Sequence, residues 1–151
     1  MSRPAVTIDT SVWIPFLRER RYETTVGPLI AEARAWVSTV TLLELYAGTA
    51  SIEDKRDVDA IRAHAASLGR LWHPGEADLC LAGQLLSFHA RSAGAIRPKD
   101  HGFDLLIAIG AGRTSSVLLT ENAAHMQRWA FLLRRRAGLR VRVQAPPPAL
   151  S

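Results

Sequence analysis

The chain has 151 residues, of which 48% are hydrophobic and 22% are charged, and its net charge is +5. This length allows one domain with a real hydrophobic core, and the composition is ordinary for a soluble globular protein. No apolar stretch approaches the roughly 20 residues that a membrane-spanning helix needs. The N-terminus also lacks the apolar segment of a signal peptide. We therefore expect a cytoplasmic protein without a membrane anchor.

The positive charge comes from arginine, because Lys55 and Lys99 are the only lysines. A basic chain favours a polyanionic partner, either a nucleic acid or an acidic protein. An arginine-rich composition can also reflect a GC-rich genome, so charge alone does not decide the partner. The single cysteine, Cys80, lies in an apolar helical pattern and is predicted to be a small buried core residue, in keeping with a reducing compartment.

Short apolar runs alternate with helical periodicity along the chain. In chain order the pattern predicts strand 4–9, helices 11–20 and 25–35, strand 35–40, helices 41–47 and 54–68, and a brief strand 71–72. It continues with a helix from residue 76 that Gly94 ends, a polar loop 97–102, helix 103–111, strand 115–120, helix 121–136 and strand 139–143. We predict one domain over residues 1–145 and a disordered proline-rich tail over residues 146–151.

Strands separated by helices are typical of a parallel sheet covered by helices on both faces. In such sheets, binding and catalytic sites form outside the carboxyl ends of the strands. Asp9 and the segment 120–122 fall at these ends. The topology therefore predicts a functional site at this edge.

Four short segments could bring oxygen-bearing side chains together at this edge. We expect Asp9, Glu44 and Asp104 to form a compact carboxylate cluster with Asn122 beside it. Carboxylates packed closely repel one another unless protons or a cation neutralise them. Oxygen ligands select a hard divalent ion such as Mg²⁺ or Mn²⁺. In a basic protein, this combination indicates phosphodiester chemistry.

Each candidate also has a purely structural interpretation. Asp9 could cap the following helix, and Glu44 follows Thr41 at the spacing of a capping box. Asp104 could complement a helix dipole, and Asn122 could be a turn residue or an N-cap. These interpretations do not explain why Glu44 and Asp104 are flanked so tightly by apolar residues, since a buried carboxylate needs partners.

Several neighbouring residues have two open interpretations. Thr10, Ser11 and Thr120 could orient the carboxylates or could satisfy backbone groups. His125 could be an acid or a metal ligand, although an isolated helical histidine is usually structural or solvated. The run 134–136 of three arginines could contact phosphates or could form a solvated helix end that favours the dipole.

Segments 8–14, 40–45, 104–108 and 119–122, in this order and in a basic chain of this length, resemble the PIN-domain nucleases. Within that family they resemble the VapC toxins of bacterial toxin–antitoxin pairs. The resemblance implies a three-layer α/β/α sandwich with a short, mainly parallel central sheet. It also implies a Mg²⁺- or Mn²⁺-dependent endoribonuclease that acts on tRNA or other structured RNA, and a cognate VapB-type antitoxin. A homodimer is expected on the same ground, the alternative being that the apolar helix faces pack within one chain.

Asp9, Glu44 and Asp104 match the acidic positions of this family, and Asn122 falls where the family has Asn or a fourth Asp. The implied metal ion is held by Asp9 and Asp104, with Glu44 binding directly or through water, and Asn122 helps to position water. His125 stands where some members have a further Asp, which favours the alternative of a degenerate module that binds RNA or antitoxin without cleavage.

A phosphatase of the haloacid dehalogenase type is a third alternative, because it also begins with a strand that ends in Asp. That family needs a second Asp two residues later. Ser11 occupies the position here and argues against it.

Overall fold

The computed structural model describes residues 2–93 and 98–148. Within them, five strands form one sheet in the order β3-β2-β1-β4-β5. Every neighbouring pair is parallel. The strands are β1 (Val6–Ile8), β2 (Ala35–Ser38), β3 (Leu71–Trp72), β4 (Val117–Leu119) and β5 (Arg142–Gln144). The expected parallel sheet is confirmed.

The helices connect successive strands and cover both faces of the sheet. Those between β1 and β3 are α1 (Thr10–Glu19), α2 (Glu23–Ala31), α3 (Thr39–Ala47) and α4 (Ile52–Ser67). Those that follow β3 are α5 (Glu76–Ala93), α6 (Pro98–Arg113) and α7 (Ala123–Ala137). Parallel strands require such crossover connections, which explains why the helices divide into two layers.

Two apolar clusters form the core, one on each face. The first cluster contains the buried stretch of α6 from Leu105 to Ala111 and is packed against α5 and α7. The second is built from α1, α2 and α4 and includes Trp13, which is 1% exposed. Helix α3 contributes to both clusters, through Val40 to the first and through Leu42 and Leu45 to the second. The result is the three-layer α/β/α sandwich that the resemblance implied.

One predicted loop is wrong over most of its length. The interval 97–102 was expected to be polar loop, but α6 begins at Pro98. Proline is favoured at the first helical position because its missing N–H has no partner there in any case. The apolar pattern becomes visible only at Phe103, so it marks the buried part of α6 and not its start. Residue 97, like the predicted helix end at Gly94, lies outside the described residues.

The other differences in secondary structure are smaller. Helix α3 begins two residues earlier than predicted because Ser38 caps it, accepting a hydrogen bond from the backbone N–H of Val40. Each long predicted strand is shorter in the structure. Strands β1 and β4 keep inner residues of the predicted ranges, β2 ends at Ser38 where the cap of α3 begins, and β5 starts three residues later than predicted and extends to Gln144. Residues 146–148 have no regular secondary structure, and residues 149–151 lie outside the described part.

The prediction for Cys80 is wrong, because this side chain is exposed on α5. The apolar residues of the α5 pattern are divided: Leu85 is buried in the first cluster, whereas Leu79 is 52% exposed. The pattern did not separate the two faces of this helix. Across residues 2–93 and 98–148, no helix has the length and apolar character required to cross a bilayer.

Candidate active site at the carboxyl edge of the sheet

The carboxyl ends of the parallel strands meet at one edge, and three of them lead into polar residues. Asp9 follows β1, Thr120 follows β4, and α3, which carries Glu44, begins directly after β2. Asp104 reaches the same region from the second turn of α6. The chain topology therefore places at one edge of the sheet residues that are more than 90 positions apart in sequence.

Asp9 is 2% exposed and is held by two hydroxyl groups. Its Oδ2 accepts hydrogen bonds from Ser11 Oγ at 2.7 Å and from Thr120 Oγ1 at 2.8 Å. Although Asp9 occupies the N-cap position of α1, its side chain makes no capping hydrogen bond. The capping interpretation therefore does not account for this carboxylate. The hydroxyl groups of Ser11 and Thr120 orient it and also accept hydrogen bonds from backbone N–H groups, so both interpretations of these hydroxyl groups hold.

Glu44 is half-buried on α3, where Thr10 Oγ1 donates a hydrogen bond to its Oε1 at 2.8 Å. The N-cap of α3 is Ser38, so Thr41 lies inside the helix and the predicted capping box with Glu44 does not form. Burial raises the pKa of the Glu44 carboxyl, the Thr10 hydrogen bond lowers it, and the negative charge of Asp9 raises it further. The carboxyl groups of Glu44 and Asp9 therefore interact electrostatically.

Of the three carboxyl groups, Asp104 has the most strongly raised pKa. Burial, followed by the charges of Asp9 and Glu44, raises its pKa to about 6. Because α6 starts at Pro98, Asp104 is not in the first turn, and the helix dipole does not explain its position. A carboxyl kept near the core beside two other carboxylates costs free energy when all three are ionised. The structure thus brings the three predicted carboxylates into one electrostatic group.

A neutral histidine lies against Asp104. His125 Nε2 is 3.4 Å from Asp104 Oδ2, and the same nitrogen accepts a hydrogen bond from the Trp129 indole N–H at 3.1 Å. Burial, the neighbouring His101 and other positive groups lower the pKa of His125. Its Nε2 is therefore a lone-pair acceptor at neutral pH and does not supply a positive charge to Asp104.

Trp129 and its bond to His125 were not found from the sequence. The signal was present, because His125 and Trp129 are four residues apart on α7 and so share one face. Asn122 is the N-cap of α7, with an exposed side chain that makes no capping hydrogen bond. Its backbone N–H donates to Thr120 Oγ1 at 3.0 Å, which links it to Asp9 through one hydroxyl group. A functional role for its side chain stays a prediction.

Comparison with known families decides the classification. Residues 6–132 match the PIN domain family. This chain is a member of the PIN-domain family. Comparison with curated proteins gives no match.

Solved structures with the same fold as this PIN domain include chains of VapBC and of FitAB. A chain of DNA-bound VapBC from Salmonella typhimurium has a TM-score of 0.61 and 20% identity, covering 93% of this chain and 98% of that one. A chain of FitAB bound to the IR36 DNA fragment has a TM-score of 0.62 and 19% identity, with coverages of 93% and 94%. A chain of VapBC-1 from nontypeable Haemophilus influenzae has a TM-score of 0.56 and 22% identity, covering 93% of this chain and 97% of that one. At these identities the likeness establishes the fold.

The donor atoms of the PIN domain's acidic edge fit a hard divalent cation in their chemistry, because all are carboxylate oxygens. Within the described ranges, neither Asp9 nor Glu44 has a cationic side chain paired with it, so their charge is uncompensated. No three acidic, histidine or cysteine side chains of the described residues are close enough to hold one ion together. A cation at this edge would therefore have fewer than three such side chains as direct ligands, with water completing its coordination, unless a carboxylate rotates toward it.

Proposed function

We propose that this PIN domain is a Mg²⁺- or Mn²⁺-dependent endoribonuclease, the toxin of a VapBC-type pair, which hydrolyses RNA phosphodiester bonds and so inhibits translation. The main observation is the acidic edge, where Asp9 and Glu44 help to raise the pKa of Asp104 to about 6. A buried group of like charges without a cationic side chain is costly, and perturbed carboxyls of this kind are concentrated at functional sites.

The proposed roles follow from the hydrogen bonds. Asp9 and Asp104 hold the cation, with Glu44 binding directly or through water. When bound, the ion would activate water as a nucleophile and neutralise charge on the scissile phosphate. Ser11 and Thr120 both donate to Oδ2 of Asp9, which fixes the carboxylate and leaves Oδ1 for a cation.

Thr10 fixes Glu44 in the same way, through Oε1. His125 keeps its Nε2 unprotonated beside Asp104, where this nitrogen accepts the hydrogen bond of the Trp129 indole N–H and adds no positive charge to the carboxylates. Asn122, at the start of α7, is proposed to position water or substrate. These assignments place every proposed role at the carboxyl edge.

The proposed partners follow from the fold and the charge. The similar structures from Salmonella typhimurium and Haemophilus influenzae are of VapBC, which supports a VapB-type antitoxin as the partner of this chain. The net charge of +5 supports a polyanionic substrate, which we propose to be tRNA or another structured RNA in the cytoplasm. A homodimer is also proposed.

The first test is cleavage of a total tRNA pool by the purified protein, freed of any partner, with Mg²⁺, Mn²⁺ or EDTA. Asp9→Asn should lower the rate by about 10²- to 10³-fold, since it removes charge at the cation and keeps the shape of the side chain. Glu53→Gln, an exposed acid on α4, is the matched control and should cut like the original chain. Equal cleavage by Asp9→Asn, or cleavage in EDTA, would reject the proposal.

A second candidate function is a degenerate module that binds RNA or antitoxin without cutting. It is favoured by His125, which stands beside Asp104 where a further carboxylate would strengthen a metal site. RNA binding by the folded protein with no cleavage in any metal would support this candidate over the nuclease.

A further inference from the structure

The positive charge of the chain is concentrated at its C-terminal end. Residues 122–151 contain six arginines and no acidic residue, whereas residues 1–121 contain 13 basic and 14 acidic residues. The net charge of +5 therefore comes entirely from residues 122–151, since residues 1–121 have a net charge of −1. None of these arginines has a role in the proposed chemistry.

Five of the six lie on one surface, at the edge of the sheet opposite the carboxylates. We define the arginine face as Phe131, Arg134, Arg135, Arg136, Arg140 and Arg142. One open depression of about 650 Å³ is lined by three of its arginines, together with Ser115 and Ser116. A second, of about 770 Å³, is lined by Arg135 and Arg136. Phe131 lines both and is 64% exposed, so its ring forms the ridge between two basic depressions.

The charge of the arginine face is not compensated within the described residues. None of its five arginines forms an ion pair or donates a side-chain hydrogen bond there, whereas Arg34 and Arg113 elsewhere on the surface pair with carboxylates. Arg136 packs on an aromatic ring, its Cζ lying 3.6 Å from the Phe88 centroid. Neither depression has an acidic residue in its lining. Such a surface is complementary to a polyanion.

We propose that the arginine face is a second RNA-binding surface, which holds a single-stranded part of the substrate far from the cut. Arg134, Arg140 and Arg142 contact phosphates, and one base stacks on Phe131. An exposed aromatic ring between basic depressions favours RNA over an acidic protein, because single strands are bound by arginines along the backbone and by stacking on aromatic rings. The inference rests on the proposed function only in taking RNA as the ligand.

The position of the face predicts which RNAs use it. Along helix α7, Asn122 at the acidic edge and Arg134 near the other end are separated by about 18 Å, at a rise of about 1.5 Å per residue. At about 3.4 Å per stacked nucleotide, this distance corresponds to roughly five to six nucleotides. A short RNA can reach the carboxylates without touching the arginine face, whereas a longer one can occupy both.

The binding test uses the full chain in EDTA, so that no RNA is cut, with a fluorescent unstructured RNA of about 20 nucleotides. Arg140→Gln/Arg142→Gln should weaken binding about tenfold and reduce the salt slope of log K by about 1.4, because two phosphate contacts are lost. Phe131→Ala should weaken binding about tenfold through loss of stacking. Thermal unfolding of each variant verifies that it is folded.

Matched controls make comparable changes on α4 in the other helical layer, removing two arginines or one exposed apolar side chain. Arg56→Gln/Arg62→Gln removes the same charge, and Ile52→Ala removes a side chain that is 68% exposed. Both should bind RNA like the original chain. Equal losses in the controls, no loss in the arginine-face variants, or a larger loss of binding to polyglutamate than to RNA would each overturn the proposal.

Cleavage separates this inference from the proposed function. The arginine-face variants should raise KM for an RNA that extends more than about six nucleotides beyond the cut and leave that for a shorter RNA unchanged. If RNA binds through the arginine face but is never cut, the proposed nuclease activity is wrong and the proposed RNA-binding surface is supported. If Asp9-dependent cleavage of long RNA is unaffected by these variants, the nuclease stands and the face is wrong.

Discussion

The two edges of the sheet carry charge of opposite sign and hold it in opposite ways. At the carboxyl edge, Asp9 is buried and held by two hydroxyl groups, and Asp104 is a weak acid because of its neighbours. At the opposite edge, where the amino ends of the strands lie, Arg140 and Arg142 are exposed and make no ion pair within the described residues. A buried charge costs stability and therefore points to a function by itself. An exposed charge costs little, so its meaning depends on the absence of opposite charge around it.

The largest expected effect is that of a divalent cation on the carboxyl edge. Mg²⁺ or Mn²⁺ at about 100 times its dissociation constant should raise the free energy of unfolding by about 2.7 kcal/mol. For a chain of this size, that corresponds to a rise in Tm of roughly 5–10 °C. Thermal unfolding of the original chain, Asp9→Asn and Glu53→Gln checks it. Only Asp9→Asn should lose most of the shift, and an equal shift in all three would show a general effect of the salt.

The second effect is the pH dependence of stability without metal. The pKa of Asp104 is raised from 3.8 to about 6, so between these values the folded chain binds more protons than the unfolded chain. The free energy of unfolding in EDTA should therefore fall as pH rises through this window and level off above it. The fall should be on the order of 1–2 kcal/mol, since the carboxyl is partly solvated.

Chemical denaturation at several pH values, for the original chain and Asp104→Asn, measures this effect. The difference between the two curves isolates Asp104 from the smaller contribution of Glu44, whose pKa is raised in the same direction. Above about pH 6 the Asn variant should be the more stable protein. A variant that is less stable throughout would mean that the carboxylate has a structural role.

A smaller effect on the free energy of unfolding is expected from the same substitution at two buried threonines, Thr120 and Thr41. Thr120 Oγ1 donates to Asp9 and accepts from the Asn122 backbone, so Thr120→Val should cost about 1 kcal/mol and reduce cleavage. Thr41 Oγ1 is buried without a hydrogen-bond partner in the described part of the chain, so Thr41→Val should be neutral or stabilising. Urea unfolding compares the two variants, which make the same chemical change at equal burial. Equal costs would show that the hydroxyl network does not stabilise the edge.

The smallest expected effect is at the arginine face. Arg140→Gln/Arg142→Gln should change the free energy of unfolding by less than about 0.5 kcal/mol, because no internal partner is lost. The same urea measurement tests this value. A loss several times larger would show that these arginines serve the fold, and the comparison between the two edges would then fail.

The sequence predicted the sheet and its edge well because both depend on short-range patterns. Apolar runs predict β1 and β4, and the parallel pairing of these strands then places Asp9 and Thr120 side by side at their carboxyl ends. The start of α6 was not predictable in the same way, because its first turn carries no apolar pattern. The exposure of Cys80 was also missed, since periodicity identifies a helix more readily than it identifies which flank is buried.

The site was predictable in its residue types and not in its geometry. Apolar runs that meet helices, together with the family resemblance, predicted Asp9, Glu44 and Asp104. They could not show that Thr10 bonds to Glu44 or that one nitrogen of His125 faces both Trp129 and Asp104. Those contacts join residues of different elements, and their distances depend on how the helices pack. The charge of the arginine face was visible in the sequence, whereas its two depressions depend on the placement of β5 against α7.

Helix α3 packs into both apolar clusters, and this has a consequence for cooperativity. Val40 belongs to one cluster and Leu42 and Leu45 to the other, so neither layer can separate from the sheet without releasing the same helix. We expect the domain to melt in one transition, with equal calorimetric and van't Hoff enthalpies. Glu44 is anchored on that helix. The acidic edge should therefore stay assembled until the whole molecule unfolds, so that a protease meets either an intact domain or an open chain.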